Sequence, residues 1–506
     1  MKRLLTLFFT VFTAVSCFAD EVTFTLDLQD PAVQKAVDSC PFARVEGDTL
    51  IFDVPETSQG AMIHVVMEEV CPGFQEAMKG RYVYTDVDVT FSNIPEGKVG
   101  YHGGKFQFHL PGAKGNEWPG LLNIHQKPWG NLDWTHSQSR VVYEEQVTNP
   151  TLQFGIQGGN GRIAYKNIRF TRGGKGPVSI FSLEEVPQAK YSKKMPPRMR
   201  GVMSPSTANG PVEQDFADLE KWGANLIRWQ MGFGQLKDAA EAREALWSRF
   251  DQIDEVLRLA KKYHLNVVLD VHTMSGSRPV ILGTPEGRDL MVEFWEEVAR
   301  RYKGNPNIFG YNLMNEPVTN DIEVGGPSLN KQYYRLIKAI RAIDPETPII
   351  LDCDGAGVIS QIEFMRVFPF RNIIYSPHFY LPFELTHQLK QDQGSYLAYP
   401  NVEKGWNKEF LRQKMEVARQ FQLKTGARIY VGEFSCIRWA PGAEKFIADC
   451  IDLFEEYGWD WSYHAFREWQ GWSVEHEGAP GKAEKVEMTP RKEVLLKAFE
   501  RNKKKK

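Results

Sequence analysis

Two glutamates stand at the ends of apolar runs, Glu316 in YNLMNEP and Glu433 in YVGEFS. A carboxylate in such a place is costly unless it has a partner or a task, because burial strips its hydration. A facing pair can divide the work of glycoside hydrolysis. One carboxylic acid protonates the leaving oxygen while the other attacks the anomeric carbon, and in the retaining form of the reaction the two lie about 5–5.5 Å apart. Other polar groups close similar runs: Arg228 in NLIRWQ, His272 in LDVHTM, Asn315 beside Glu316, and His378 and Tyr380 in SPHFY. Arg228 can hold one glutamate ionised through a charge-assisted hydrogen bond. Tyr380 can donate to the same carboxylate, and Asn315 can bond a sugar 2-OH, a contact that strengthens in the transition state. Each of these groups also has a structural reading: Arg228 as an ion-pair residue, His272 and His378 as satisfied buried histidines.

The elements that must carry these groups follow a regular grammar. From about Met199 onward strand and helix patterns alternate, with strands expected in RGVMSP, ANLIRWQM, NVVLDVHTM, IFGYNLMNEP, PIILDCDG, NIIYSPHFY, RIYVGEFSC and WDWSYHAF. Between them lie helical spacings such as Leu290, Phe294, Val298 and Tyr302, stopped at Gly304-Asn305-Pro306. Eight such units over roughly 300 residues predict an α/β fold, a (β/α)8 TIM barrel, whose active sites form at the carboxyl ends of the strands. Arg228 is expected at the end of the second strand and His272 at the end of the third. Asn315 and Glu316 fall on the fourth, His378 and Tyr380 on the sixth, and Glu433 on the seventh. Glu316 and Glu433 then face each other across the mouth. Side-chain alternation groups His378 with Tyr380 and Asp270 with His272, and turns Trp229 away from Arg228.

Upstream the pattern has period two, in VTFTLDL, TLIFDV, MIHVVM, YVYTDVDVTF, KFQFHL, LQFGI and AYKNIRF, separated by Gly, Pro and Asn turns. This predicts an all-β, jelly-roll-like sandwich. The expected division is a signal peptide over 1–19, the sandwich over 20–174, a Gly- and Pro-rich linker over 175–198 and the barrel over 199–506.

Composition sets the frame for both halves. The 506 residues are 42% hydrophobic and 25% charged, a globular balance too long for one core. A formal charge of −3 leaves no basic excess for a phosphate backbone, so nucleic acid is not an expected partner. MKRLLTLFFTVFTAVSCFAD has the order of a secretory signal, with cleavage expected after Ala19 and a lipid anchor at Cys17 as the alternative. No later apolar run is long enough to span a bilayer, so a secreted or periplasmic location is expected. Cys40 with Cys71 and Cys436 with Cys450 are candidate disulfides, or all are buried thiols. No metal-ligand spacing appears, and no cofactor is expected. Thirteen tryptophans suit a sugar ligand. Trp118, Trp129 and Trp134 form either a sugar platform or core, whereas Trp222, Trp247 and Trp295 sit at helical spacings that suit core.

From Met199 to Lys497 the chain resembles glycoside hydrolase family 5, retaining β-glycanases that include cellulases and mannanases. The resemblance rests on YNLMNEP and YVGEFS and on Arg228, His272 and the His378-x-Tyr380 pair, in that order. It implies Glu316 as acid/base, Glu433 as nucleophile, and Arg228, His272, Asn315, His378 and Tyr380 as substrate-binding residues. The implied activity is endo-acting cleavage of β-1,4-linked glucan. A β-mannanase, a xyloglucanase, an exo-β-glycosidase and a noncatalytic polysaccharide-binding protein are the alternatives. One departure stands out: family members usually carry a tryptophan at the end of strand 8, where counting along WSYHAF places His464. Trp469 is expected to serve the sugar instead, with Trp472 as its rival. The sandwich resembles carbohydrate-binding modules, chiefly in RIAYKNIRF.

Overall fold

The computed structural model describes residues 22–503, apart from 59, 95–102, 123–129, 204–209, 323–325 and 389–395. The expected signal peptide with Cys17, and Trp129, lie outside the described residues.

The first part of the chain forms two antiparallel sheets. Its strands are β1 (Thr23–Thr25), β2 (Ala43–Glu46), β3 (Thr49–Val54), β4 (Gly60–Val66), β5 (Arg81–Ile94), β6 (Gly103–His109), β7 (Gly130–Tyr143), β8 (Thr151–Gln157) and β9 (Gly161–Lys175). One sheet runs β2-β3-β9-β5-β7 with β1 on β9, and the other runs β4-β8-β6. Strict alternation in β5 turns Val83, Val87, Val89 and Phe91 into the core between them, where Phe74 meets Phe108, Phe170 and Tyr143. Among the features that escape the period-two pattern, two stand out. A helix, Pro31–Asp38, starts on an Asp30 cap with Pro31 in its first turn. Strand β7 has an exposed, polar first half, and its alternation emerges only at Ser137, Ser139 and Val141.

The second part is the barrel. Strands β10 (Arg200–Met203), β11 (Leu226–Gln230), β12 (Asn266–Asp270), β13 (Ile308–Asn312), β14 (Ile349–Asp352), β15 (Ile373–Ser376), β16 (Arg428–Phe434) and β17 (Asp460–Tyr463) close into a parallel cylinder. Helices such as Pro285–Tyr302, capped by Thr284, and Lys408–Thr425, capped by Asn407 and ended by Gly426 at φ 67°, pack outside it. The buried Trp229, Trp295 and Trp461 fill the layer between. Trp222 and Trp247, only partly buried, pack against the same core.

The stretch between the two parts is bound to the barrel's lower end. Ile180 joins the barrel core, Tyr191 Oη donates to the Ile373 carbonyl, and Arg428 donates to the carbonyls of Pro196 and Pro197. The sandwich leans on the upper end. Lys114 Nζ is 2.7 Å from Glu363, Arg140 Nη1 donates to the Gly326 carbonyl at 2.8 Å, and Asn320 donates to the Gly120 carbonyl. Those barrel residues sit in the loops that follow β13 and β14, so the sandwich buttresses one wall of the mouth. Cys40, Cys71, Cys353, Cys436 and Cys450 are all buried free thiols. Among the described residues, no helix is long and apolar enough to cross a membrane.

Candidate active site

At the centre of the mouth is Arg228, with no exposed side-chain surface. It lies two residues before the end of β11 rather than at the strand end expected for it, and its guanidinium reaches upward. Nη1 donates to Glu433 Oε1 at 2.6 Å, Nε and Nη2 donate to Asn312 Oδ1, and Nη2 also donates to Asn315 Oδ1 at 2.9 Å. Asp270 and Asp352 each approach Nη2 at 3.3 Å. Three buried carboxylates therefore share one cation. A fixed cation of this kind stabilises them more effectively than a mobile one, because guanidinium donors are planar and pre-oriented.

Glu433 receives a second donor, the Tyr380 hydroxyl, on Oε2 at 2.8 Å. Burial by itself would push its pKa up. His378, His464, Arg228 and His272 outweigh that and hold Glu433 well below the usual carboxylate range. This glutamate is an anion at neutral pH.

Glu316 has different surroundings. Its backbone adopts φ 45°, its N–H donates to Asp352 Oδ2, and its carbonyl accepts from Arg278, so the loop after β13 is tied at two points. The side chain stays 27% exposed, against 5% for Glu433, and Oε1 pairs with His378 Nδ1 at 2.9 Å. The Nε2 of His378 lies 3.1 Å from Asp352 Oδ2. Burial opposes a charge on His378, but Glu433, Asp352 and Glu316 overcome it and raise its pKa to about 10. Two glycines frame this ring: a Cβ on Gly357, at φ 74°, would come within 2.8 Å of it, and one on Gly432 within 2.9 Å.

An oxygen of Glu316, an oxygen of Glu433 and a ring nitrogen of His378 lie within 4.8 Å of one another. Such a trio has the reach to surround a cation. Here, however, a protonated His378 Nδ1 is committed as a donor, and Arg228 already supplies positive charge at Glu433.

Residues 190–470 match the sequence model of the cellulase family, glycosyl hydrolase family 5. The chain belongs to glycosyl hydrolase family 5. Among relatives, Endoglucanase C of Acetivibrio thermocellus is 27% identical over 290 residues, half of this chain and 83% of the relative. Cellodextrinase A of Ruminococcus flavefaciens is 25% identical over 240 residues, covering 44% and 68%. The crystal structure of endoglucanase Cel5A from Thermotoga maritima aligns at TM-score 0.46 with 22% identity, over 60% of this chain and 96% of that one.

Within this family 5 barrel, Arg228, Asn315, Glu316, His378, Tyr380 and Glu433 come together at one rim. His272 stands beside them with Nδ1 2.8 Å from Asp270 Oδ2. Trp469 stands 48% exposed in the loop after β17, against Trp439 and Trp472. Trp472 is the ring that meets Tyr380 and His464. Trp118 and Trp134 separate onto different sheets of the sandwich, Trp118 stacked on His109 beside β6 and Trp134 on β7 under Lys166.

Asn312, Asp352, Gln230 and Glu468 join the site without having been expected from the sequence. Asp352 had a readable signal, since it closes the apolar run IILD just as Glu433 nearly closes YVGEF.

Proposed function

We propose that this protein is a secreted or periplasmic endo-β-1,4-glucanase that cleaves with retention, with Glu433 as nucleophile and Glu316 as acid/base. The observation that carries the reading is the asymmetry of the two glutamates. Glu433 is buried and held ionised by Arg228 and Tyr380; Glu316 is partly exposed, with one oxygen on His378 and, among the described residues, no partner on the other. Oxygens within 4.8 Å of each other suit a pair with no water between them, whereas inverting pairs stand about 6.5–9.5 Å apart. The endoglucanase relatives favour a glucan.

In the first step a Glu433 oxygen attacks the anomeric carbon. The bond to the leaving oxygen breaks, its electron pair stays on that oxygen, and Glu316 delivers a proton to it. Glu433 is then neutral, as an ester. Glu316, now a carboxylate, takes a proton from water; the water oxygen bonds to the anomeric carbon, and the ester bond breaks to restore the Glu433 carboxylate. Asn315, held by Arg228 and by its own bond to the Thr273 carbonyl, is placed for the sugar 2-OH. His272, His378 and Tyr380 complete the binding site, and Trp469 offers an outer aromatic face. The sandwich, proposed as residues 20–174 with a linker over 175–198, serves as a carbohydrate-binding domain.

Sugar release from a panel of β-1,4-glucan, xyloglucan and β-mannan tests the reading. Cleavage of the glucan inside the chain, lost by at least about 10⁴-fold in Glu433→Gln with the fold intact, is expected. Preference for mannan or xyloglucan would reassign the substrate. Binding without cleavage of any member would make the protein a noncatalytic polysaccharide binder.

A further inference from the structure

The chemistry proposed above leaves a chain of polar groups beside Glu433 without a task. His464, the first residue after β17, is 13% exposed. Its Nδ1 lies 2.5 Å from Tyr380 Oη and 3.4 Å from Glu433 Oε2. On its other side Nε2 lies 2.9 Å from Glu468 Oε2, and Gln230, on the same inward face of β11 as Arg228, donates to that oxygen at 2.9 Å. Trp472 stacks along the imidazole.

Hydrogen-bond bookkeeping gives this chain a direction. Tyr380 has one hydroxyl proton and two neighbours within reach of it. The Glu433 carboxylate can only accept, so the 2.8 Å contact is attractive only if Tyr380 donates to it. His464 Nδ1 must then carry a proton and donate to the phenol oxygen. Glu468 likewise accepts, so Nε2 carries a proton too. With both nitrogens protonated, His464 is an imidazolium held between Glu468 and Tyr380.

We propose that His464 and Glu468 are positioning residues: together they keep the Tyr380 proton turned onto Glu433, and turnover is therefore coupled to the protonation of His464. The inference rests on Glu433 being the nucleophile. The groups facing the imidazole are Glu468, Glu433, Glu316, Tyr380 and His387, and His272 acts on Glu468. Burial disfavours the charge, yet Glu468 and Glu433 prevail and raise the pKa of His464 above its ordinary value. The sign follows. Below that raised pKa the chain points at Glu433. Above it Nδ1 loses its proton and becomes an acceptor, Tyr380 turns to it, and Glu433 loses a donor. Removing the charge of Glu468 brings this reversal to lower pH.

The test is the pH dependence of kcat/KM on 2,4-dinitrophenyl β-cellobioside, whose leaving group needs no proton, so that the alkaline side does not report Glu316. Glu468→Gln is expected to lose activity at least one pH unit earlier than the parent, about tenfold at intermediate pH. In a Tyr380→Phe background the same substitution is expected to change the profile by less than about twofold, because the two act through one contact. His464→Asn keeps a donor but cannot titrate, so it is expected to remove the alkaline fall; it serves in place of Glu468→Gln if that variant does not fold. Nitrogen-15 NMR of the His464 ring reads the relay without turnover, and its titration is expected at lower pH in Glu468→Gln. An inactive protein with that NMR shift would overturn the hydrolase reading and leave the relay standing. Unchanged profiles and an unchanged titration, or an undiminished effect of Glu468→Gln beside Tyr380→Phe, would overturn the relay.

Discussion

The lower and upper halves of the barrel interior are built from the same strands and have opposite chemistry. Below lie Met199, Leu226, Val268, Phe309, Ile350, Ile374 and Tyr430, a plug with almost no polar groups. One step up the same strands are Arg228, Asp270, Asn312, Asp352 and Glu433. On β11, β12 and β14 that step is two residues, from Leu226 to Arg228, Val268 to Asp270 and Ile350 to Asp352, as alternation requires. On β13 and β16 it is three. There the pairing slips by a residue, between Val267 and Val268 on β12 against β13 and between Val431 and Phe434 on β16. Each slip inserts an extra residue and turns Asn312 and Glu433 inward. Bulges next to active sites commonly re-aim a side chain in this way. The apolar plug closes the site to water from below, and low polarity strengthens every charge contact above it.

Breaking the upper half is expected to have the larger effect. Arg228→Met leaves Asp270, Asp352 and Glu433 buried without their shared cation, so hydrolysis should be abolished and denaturant unfolding should show a loss of roughly 3–5 kcal/mol. Gly357→Ala should displace the His378 ring from Glu316 and lower kcat by about 10²-fold with the fold kept, measurable on any soluble glucan. Phe309→Ala probes the plug. It should cost about 3–5 kcal/mol of stability while kcat at low temperature stays near the parent's, and a large fall in kcat would blur the division between the halves. Lys114→Ala, which leaves the buried Glu363 without its cation at the seam of sandwich and barrel, should cost about 1–3 kcal/mol of stability.

Much of this was legible in the sequence, for physical reasons that can be named. Eight apolar runs spaced by helical patterns gave the barrel, because both periodicities are strong there. Arg228, Glu316, His378, Tyr380 and Glu433 were visible as polar groups closing apolar runs. Parity alone, however, would have set Glu433 on the face opposite Tyr430, since a one-residue slip leaves no mark in YVGEF beyond its glycine. Glu468 was hidden because it lies past the last strand, in a loop whose path the sequence does not specify. Strand β7 was hidden by its exposed, polar first half. The tryptophans were legible where burial decides, as for Trp229 and Trp295, and not where an exposed loop sets the position, as for Trp469 and Trp472, because the sequence does not specify the path of that loop.

The division of labour between an ionised, buried Glu433 and a partly exposed Glu316 is tested most directly by proton NMR of the sugar first released from β-1,4-glucan. The account predicts that the new reducing end appears as the β anomer and only later mutarotates. First appearance of the α anomer would contradict it.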